Sequence, residues 1–337
     1  MTSALDDLDL ERFRFRGLHP AVWMGTASDR YAGWLGQIYT PERFARRVTR
    51  RAHTVGGKKF TEEVLPVESV SEYFEHFRVL EIDYTFYRPL LDGSGNPTSN
   101  YHTLGAYARH LSPSASVILK APQEVTARKI RRASGFEANP AYLDAALFEH
   151  RFHGPATEIL GSCFGGVIFE QEYQKKDERQ EPEIVAQELD RFFESIPRGV
   201  GYHVELRTEA YLALPVFEVL ERHGVGQVLS HWTWLPPLRK QFALAGERFL
   251  NPSQCVLRLM TPRNVRYEDA YALAHPFDRL VEGMMDPTMV RDAACLMHTA
   301  ADRGVRANVI VNNRSGGNAP LISQALAREF LSAMDVA

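Results

Sequence analysis

Four carboxylates and four cations stand in this sequence where short apolar runs break off: Glu81, Asp83, Glu170 and Glu205, with Arg88, Lys120, Arg207 and Arg258. Carboxylates set close to cations can have their pKa values driven apart, which is what general acid/base chemistry needs. Glu205 is the candidate acid or base, with Lys120 or Glu170 as its partner. Arg88, Arg207 and Arg258 would hold an anion, because guanidinium forks match carboxylate and phosphate geometry. Thr26, Tyr31, Trp34, Thr85, Tyr87, His231, Trp232, Asn312 and Asn313 complete the set expected to bind substrate, together with Glu81 and Asp83. Asn312-Asn313, followed by Gly316-Gly317, suits a phosphate. A plainer role for the same charges is fixed ion pairing, Glu205 with Arg207 and Glu81 with Arg258.

Two other chemistries fit some of these residues. Glu81, Glu170, Glu205, His203 and His231 are ligand types for a divalent metal, but His203 and Glu205 share one strand face and no HxH or HExxH motif supports them. No cofactor is expected, with a divalent ion as the alternative. Tyr31, Trp34, Phe86, Tyr87, Trp232 and Trp234 near arginines could stack bases and make a nucleotide or single-strand groove. Against that, Trp34 and Phe86 have the character of packing residues. The basic run Arg128–Arg132 reads as a solvated helix start, and His231–Pro237 as a stiff loop walling a pocket. There is no GxSxG, no cysteine at a strand end, no P-loop and no GxGxxG after the first strand.

The elements that would position these groups follow a simple alternation. Ala21–Gly25, Val79–Tyr84, Ser116–Lys120, Gly165–Glu170, Gly201–Leu206, Gln227–Ser230, Cys255–Met260 and Ala307–Asn312 are apolar, β-branched runs of strand length. Their near-continuous apolar character suits parallel strands covered on both faces. Helical patterns separate them at Pro41–Arg51, Val70–His76, Tyr101–His110, Pro140–Leu160, Glu183–Ser195, Tyr211–His223, Asp286–Arg303 and Ala319–Ala333. Gly224 and Gly304 sit where helices end. Eight strand–helix units with right-handed crossovers close most economically as a (β/α)8 TIM barrel, an open doubly wound sheet being the alternative. A single barrel domain of about residues 20–334 is expected, preceded by an extension over 1–19. His53–Glu68 and Arg88–Asn100 read as long irregular loops after strands one and two, on the face where barrels keep their chemistry.

Bulk properties narrow the partners. The 337 residues carry a formal charge of −3, so no global basic field favours nucleic acid. Three scattered cysteines make no disulfide framework, no run is long enough to cross a bilayer, and no basic-then-apolar leader opens the chain. A cytoplasmic protein without membrane contact is expected.

Several blocks also resemble one family. Gly25-Thr26 with Tyr31, Trp34, Gly36 and Tyr39 is similar to the opening pattern of the YecE-like family, domain of unknown function 72. Glu81-Ile82-Asp83-Tyr84-Thr85-Phe86-Tyr87-Arg88, Lys120-Ala121-Pro122, Glu205-Leu206-Arg207, Arg258, Asn312-Asn313 and Ala319-Pro320 resemble its later blocks, in order. The resemblance implies a TIM barrel and no established activity. The chain departs from the family pattern at Phe169-Glu170-Gln171, at Ser230-His231, at Met260-Thr261 and in the apparent insertion His53–Glu68. The combined expectation is a barrel doing acid/base chemistry on a small anionic or sugar-like (phosphorylated) molecule at its C-terminal face. Nucleic-acid or nucleotide phosphate binding, metal-dependent endonuclease-like chemistry and ligand binding without chemistry are the alternatives, and whether the protein is an enzyme stays open.

Overall fold

A computed structural model describes residues 7–132 and 135–334. Twelve strands are present: β1 (Val22–Ala27), β2 (Thr49–Val55), β3 (Lys58–Val64), β4 (Val79–Ile82), β5 (Ser116–Lys120), β6 (Lys129–Arg132), β7 (Gly135–Ala138), β8 (Phe164–Glu170), β9 (Gly201–Glu205), β10 (Gly226–His231), β11 (Gln254–Leu259) and β12 (Arg306–Val311). Eight of them, β1-β4-β5-β8-β9-β10-β11-β12, form a closed barrel in chain order, every pair parallel. This is a TIM barrel, and each of the eight expected runs supplies one of its strands.

Strand parity explains how the charges come to share one place. Successive side chains on a strand point to opposite faces. Ala27, Val79, Ile118, Ile168, Val228, Val256 and Ile310 pack together with Trp23 as a small cluster separate from the main core. They are the barrel's inner layer. Their neighbours Leu80, Leu119, Val167, Phe169, Leu229, Leu257 and Val309 point outward and join the helices in the large core. Two residues beyond the inner layer come Glu81, Lys120, Glu170, Ser230, Arg258 and Asn312, and Glu205 stands likewise two beyond His203. All therefore face inward at the C-terminal end.

Several local expectations need correction. The helix expected over Pro41–Arg51 stops at Phe44, followed by a 3-10 turn Ala45–Arg47, and the stretch read as irregular is the antiparallel hairpin β2–β3. Its two central residues, Gly56 and Gly57, have φ of 55° and 78°, as a two-residue hairpin turn requires. Arg50 and Arg51 pair across it with Glu63 and Glu62. These ion pairs replace the apolar alternation that usually betrays a strand. Arg128–Arg132 is not a helix start: Lys129–Arg132 forms β6, paired with β7, and Arg128 and Lys129 are matched by Glu188 and Glu178. The helix expected over Pro140–Leu160 begins at Ala145, capped by Asp144, and runs through a π-turn at Glu149–His153. Tyr211–His223 is helical only over Leu214–Arg222, and the short helices Leu238–Leu244 and Tyr267–Ala274 were not anticipated.

The extension before β1 is not loose where it is described. Phe15 is fully buried, the Arg78 guanidinium donates to the Arg16 carbonyl, and Gln324 of the last helix donates to the Leu10 carbonyl. No helix among the described residues is long and apolar enough to cross a membrane.

Barrel closure depends on one close approach. A Cβ on Gly25 would lie 1.9 Å from the Val79 carbonyl oxygen. Gly25→Ala should therefore cost about 3 kcal/mol or prevent folding, because neither backbone can retreat without breaking the ladder. Gly105, inside the helix Ser99–Ala108, has open space around it; Gly105→Ala should stabilise by about 0.5–1 kcal/mol. Urea denaturation of both variants tests the contrast.

Candidate active site at the barrel mouth

Arg258 lies at the centre of the inward-facing charges. Its Nε and Nη2 each donate to Glu81 at 2.7 Å, and its Nη1 donates to Glu205 at 2.5 Å. Arg207 continues the chain, with Nε 3.2 Å from Glu205 and Nη2 2.8 Å from Glu170. Lys120 closes it, with Nζ 2.5 Å from the same Glu170 oxygen. Three carboxylates thus meet three cations in one unbroken array. Glu81, Glu205 and Arg258 are essentially without exposure, whereas Arg207 keeps 18% of its side chain exposed and Lys120 10%. The array therefore runs from solvent at the Lys120–Arg207 end to full burial at the Glu81–Arg258 end.

This geometry sets the acidity of Glu205. Burial would raise its carboxyl, but Arg258 and Arg207 outweigh burial and hold it below the usual range. The same contest, won by Arg207, Lys120 and Arg258, brings Glu170 down to about 2. Both are weak bases, and Glu205 is out of reach of a ligand. The ion pairs Glu205–Arg207 and Glu81–Arg258 both form, so the plainer expectation describes these residues. Arg207 is the array's most exposed donor, and the Lys120 Nζ lies 4.3 Å from the centre of the Phe86 ring.

A cleft of about 1000 Å³ opens beside the array, over only half of the mouth. Its walls come from the segments after β1, β4, β11 and β12 and from the β2–β3 hairpin. Tyr31, Glu81, Asp83, Tyr87, Asn312 and Asn313 line it; Lys120, Glu170, Glu205, Arg207, Trp232 and Arg258 do not. The hairpin is held in place by Tyr271, which donates to Glu62 at 2.9 Å, and by a small cluster of Val55, Ala270, Tyr271, Ala274, Phe277 and Met284.

Other expected residues have structural partners. The Thr26 amide donates to the Tyr73 hydroxyl and its Oγ1 to the Ser28 carbonyl. Thr85 donates to the Lys120 carbonyl at 2.7 Å, holding the lysine's backbone. Trp34 is fully buried and donates to Asn313 Oδ1. Burial pushes His231 down to about 4, leaving it neutral and away from the cleft. Arg88 follows the 3-10 turn Tyr84–Phe86, is exposed and does not line the cleft. The carboxylates considered for a metal are instead taken by guanidinium and ammonium groups, and His203 points at the Gln254 carbonyl. No group of three His, Cys, Asp or Glu side chains is placed to hold a metal ion among the described residues.

One residue of the cleft was missed in the sequence. Asp29, two residues past β1, is 3% exposed, and its Oδ2 has no hydrogen-bond partner. Its Oδ1 accepts from the Tyr107 hydroxyl at 2.7 Å. Burial, partly offset by Tyr107 and Arg30, raises its carboxyl from an ordinary 3.8 to about 6. The available signal was its place in Ala27-Ser28-Asp29, directly past the first strand tip.

Arg258→Met should cost about 3–5 kcal/mol, because it strands Glu81 and Glu205 without a counter-ion. Adding Glu81→Gln and Glu205→Gln should recover part of that loss in urea titrations. Because Glu170 is depressed, its stabilising effect is full above pH 4.5 and lost as pH falls towards about 2.

The model of the family described as "Protein of unknown function DUF72" matches residues 23–335. A crystal structure of a DUF72 family protein from Thermotoga maritima MSB8 superposes with a TM-score of 0.53 at 15% identity, covering 93% of this chain and 99% of that one. A DUF72 family protein from Enterococcus faecalis V583 gives 0.54 at 10% identity, over 92% and 95%. At such identities the likeness is one of fold. No curated protein matches the sequence. With the family model spanning nearly its whole length, the chain belongs to DUF72, a family of proteins of unknown function.

Proposed function

We propose that the protein is an enzyme performing acid/base chemistry on a neutral, polyhydroxylated, sugar-like substrate in the half-mouth cleft, with Asp29 as general base. The observation that carries this reading is the unpaired Asp29 Oδ2, on a carboxylate raised to about 6 at the cleft wall. A base with a pKa near the working pH is ionised enough to act and basic enough to take a proton. Strongly perturbed acids in clefts are functional candidates for this reason.

Charge decides between sugar and phosphate. The cleft is lined by Asp29, Glu62, Glu63, Glu81, Asp83 and Asp278 against Arg30, Arg51 and Arg314. Setting aside Glu81, taken by Arg258, and Glu63, taken by Arg50, leaves four carboxylates to three guanidinium groups. That balance offers no cationic surplus for a phosphate or a nucleic-acid backbone. The walls instead carry Tyr31, Tyr84, Tyr87, Tyr107, Tyr267 and Tyr271, whose rings pack on C–H faces and whose hydroxyls bond to hydroxyl groups. In this reading Glu170 and Glu205 are positioning residues that fix Lys120 and Arg207, and neither exchanges a proton with substrate.

Two measurements test Asp29. On a converted sugar, kcat/KM should rise with pH through about 6, and Asp29→Asn should lose about 10²–10⁴-fold and that rising limb. An unchanged profile in the variant would remove Asp29 from the mechanism. Stability supplies a second check. A carboxyl raised from 3.8 to about 6 favours the folded state fully below pH 3.8 and ceases to do so as pH rises through about 6. Asp29→Asn should therefore be more stable than the parent at pH 8, by up to roughly 3 kcal/mol, and no more stable at pH 4.

A further inference from the structure

We infer that the substrate is an oligosaccharide, and that Tyr173, Trp232 and Trp234 form a second sugar subsite on the half of the mouth that the cleft leaves open. The inference rests on the cleft reading and extends it from one sugar unit to several. Tyr173 follows β8, while Trp232 and Trp234 follow β10. Their rings meet with centroids 6.5 Å (Tyr173–Trp232) and 6.1 Å (Tyr173–Trp234) apart. Tyr173 is 42% exposed and Trp234 48%. The Arg207 guanidinium lies 4.8 Å from the centre of the Trp232 ring, and Arg207 is itself fixed by Glu170 and Glu205. The platform is therefore built on the charge array, which holds Trp232 in one orientation.

A contiguous patch of exposed aromatic surface marks a place where something binds. Among the described residues the exposed aromatic rings are Tyr87, Tyr173, Trp234 and Tyr267 at the barrel mouth, with Phe136 on the β6–β7 hairpin as the exception. Tyr87 connects the two halves. It lines the cleft, and its ring meets Phe86 edge-on, the ring that faces the Lys120 ammonium of the array. A barrel of eight strands spaced about 4.8 Å apart has a mouth roughly 15 Å across, more than a single pyranose ring can span. A ligand seated in the cleft and on the platform must therefore be a chain.

The chemistry of that chain follows from charge. The three carboxylates beneath the platform balance the three cations, so the array itself offers no free positive charge to a phosphodiester backbone. The flat C–H face of a pyranose packs on an indole or phenol ring with no charge required. Neutral glycans fit both halves of the mouth; nucleic acid fits neither.

Calorimetry on the full chain tests this with β-1,4-linked glucose, mannose and xylose oligomers of about one to six units, and with an oligothymidylate at low salt. Affinity for one neutral series should rise about tenfold or more from the monosaccharide to the tetrasaccharide. The pair Tyr173→Ala and Trp234→Ala should abolish that gain without moving the thermal midpoint, and Trp234→Phe should keep most of it. Affinity that ignores chain length, or a gain that survives the double variant, overturns the platform and leaves the Asp29 reading standing. Length-dependent binding with turnover indifferent to Asp29→Asn overturns the cleft base alone. Binding of the oligothymidylate only, or of no member of the panel, overturns both.

Discussion

Arg258 carries a positive charge in a place that water does not reach, and most of what surrounds the mouth of this barrel can be traced to that fact. An isolated guanidinium there would cost many kcal/mol in lost hydration. It persists because Glu81 takes two of its donors and Glu205 a third. Those carboxylates are buried in turn. Glu205 needs Arg207, Arg207 serves Glu170, and Glu170 needs Lys120. The need for compensation passes along four strands and the segment after β9 until it arrives at side chains that touch solvent.

The array closes the top of the barrel. It holds Glu170 and Glu205 ionised, while burial raises Glu81; an acid held at about 2 neither gives nor takes a proton at neutral pH. The opposite circumstance, burial with one oxygen left without a hydrogen-bond partner, occurs at Asp29, the base of the proposed reaction. The two carboxylate environments are produced by one mouth. Where strand parity sets cations against acids, the charges are paired; past β1, a carboxylate is only partly compensated, by Tyr107 and Arg30.

Much of the barrel was legible in the sequence because period and composition encode it directly. Eight β-branched runs broken by helical stretches gave the strand order, and strand-end position gave Glu81, Lys120, Glu170, Glu205 and Arg258 as neighbours. What the sequence could not convey was which of them would be matched. Glu205 and Arg207 two residues apart on paper are equally compatible with catalysis and with pairing; only Arg258, reaching across from another strand, decides. Asp29 was passed over because its pKa depends on burial by residues far away in the chain, among them Tyr107. The β2–β3 hairpin was hidden for a different reason. With both faces charged, it shows no alternation of apolar and polar residues, and its Gly56-Gly57 turn was the only local sign.

That hairpin has its own small apolar foundation. Val55 packs with Ala270, Tyr271, Ala274, Phe277 and Met284, apart from the large core and apart from the inner layer of the barrel. A wall built on separate footings is an interchangeable part. Shortening it, lengthening it or recolouring its surface would retune which molecules gain entry without renegotiating the ladder of eight strands underneath. Diversification of ligand preference on this scaffold is therefore cheapest at the strand pair, while the guanidinium at the centre is the piece least free to change.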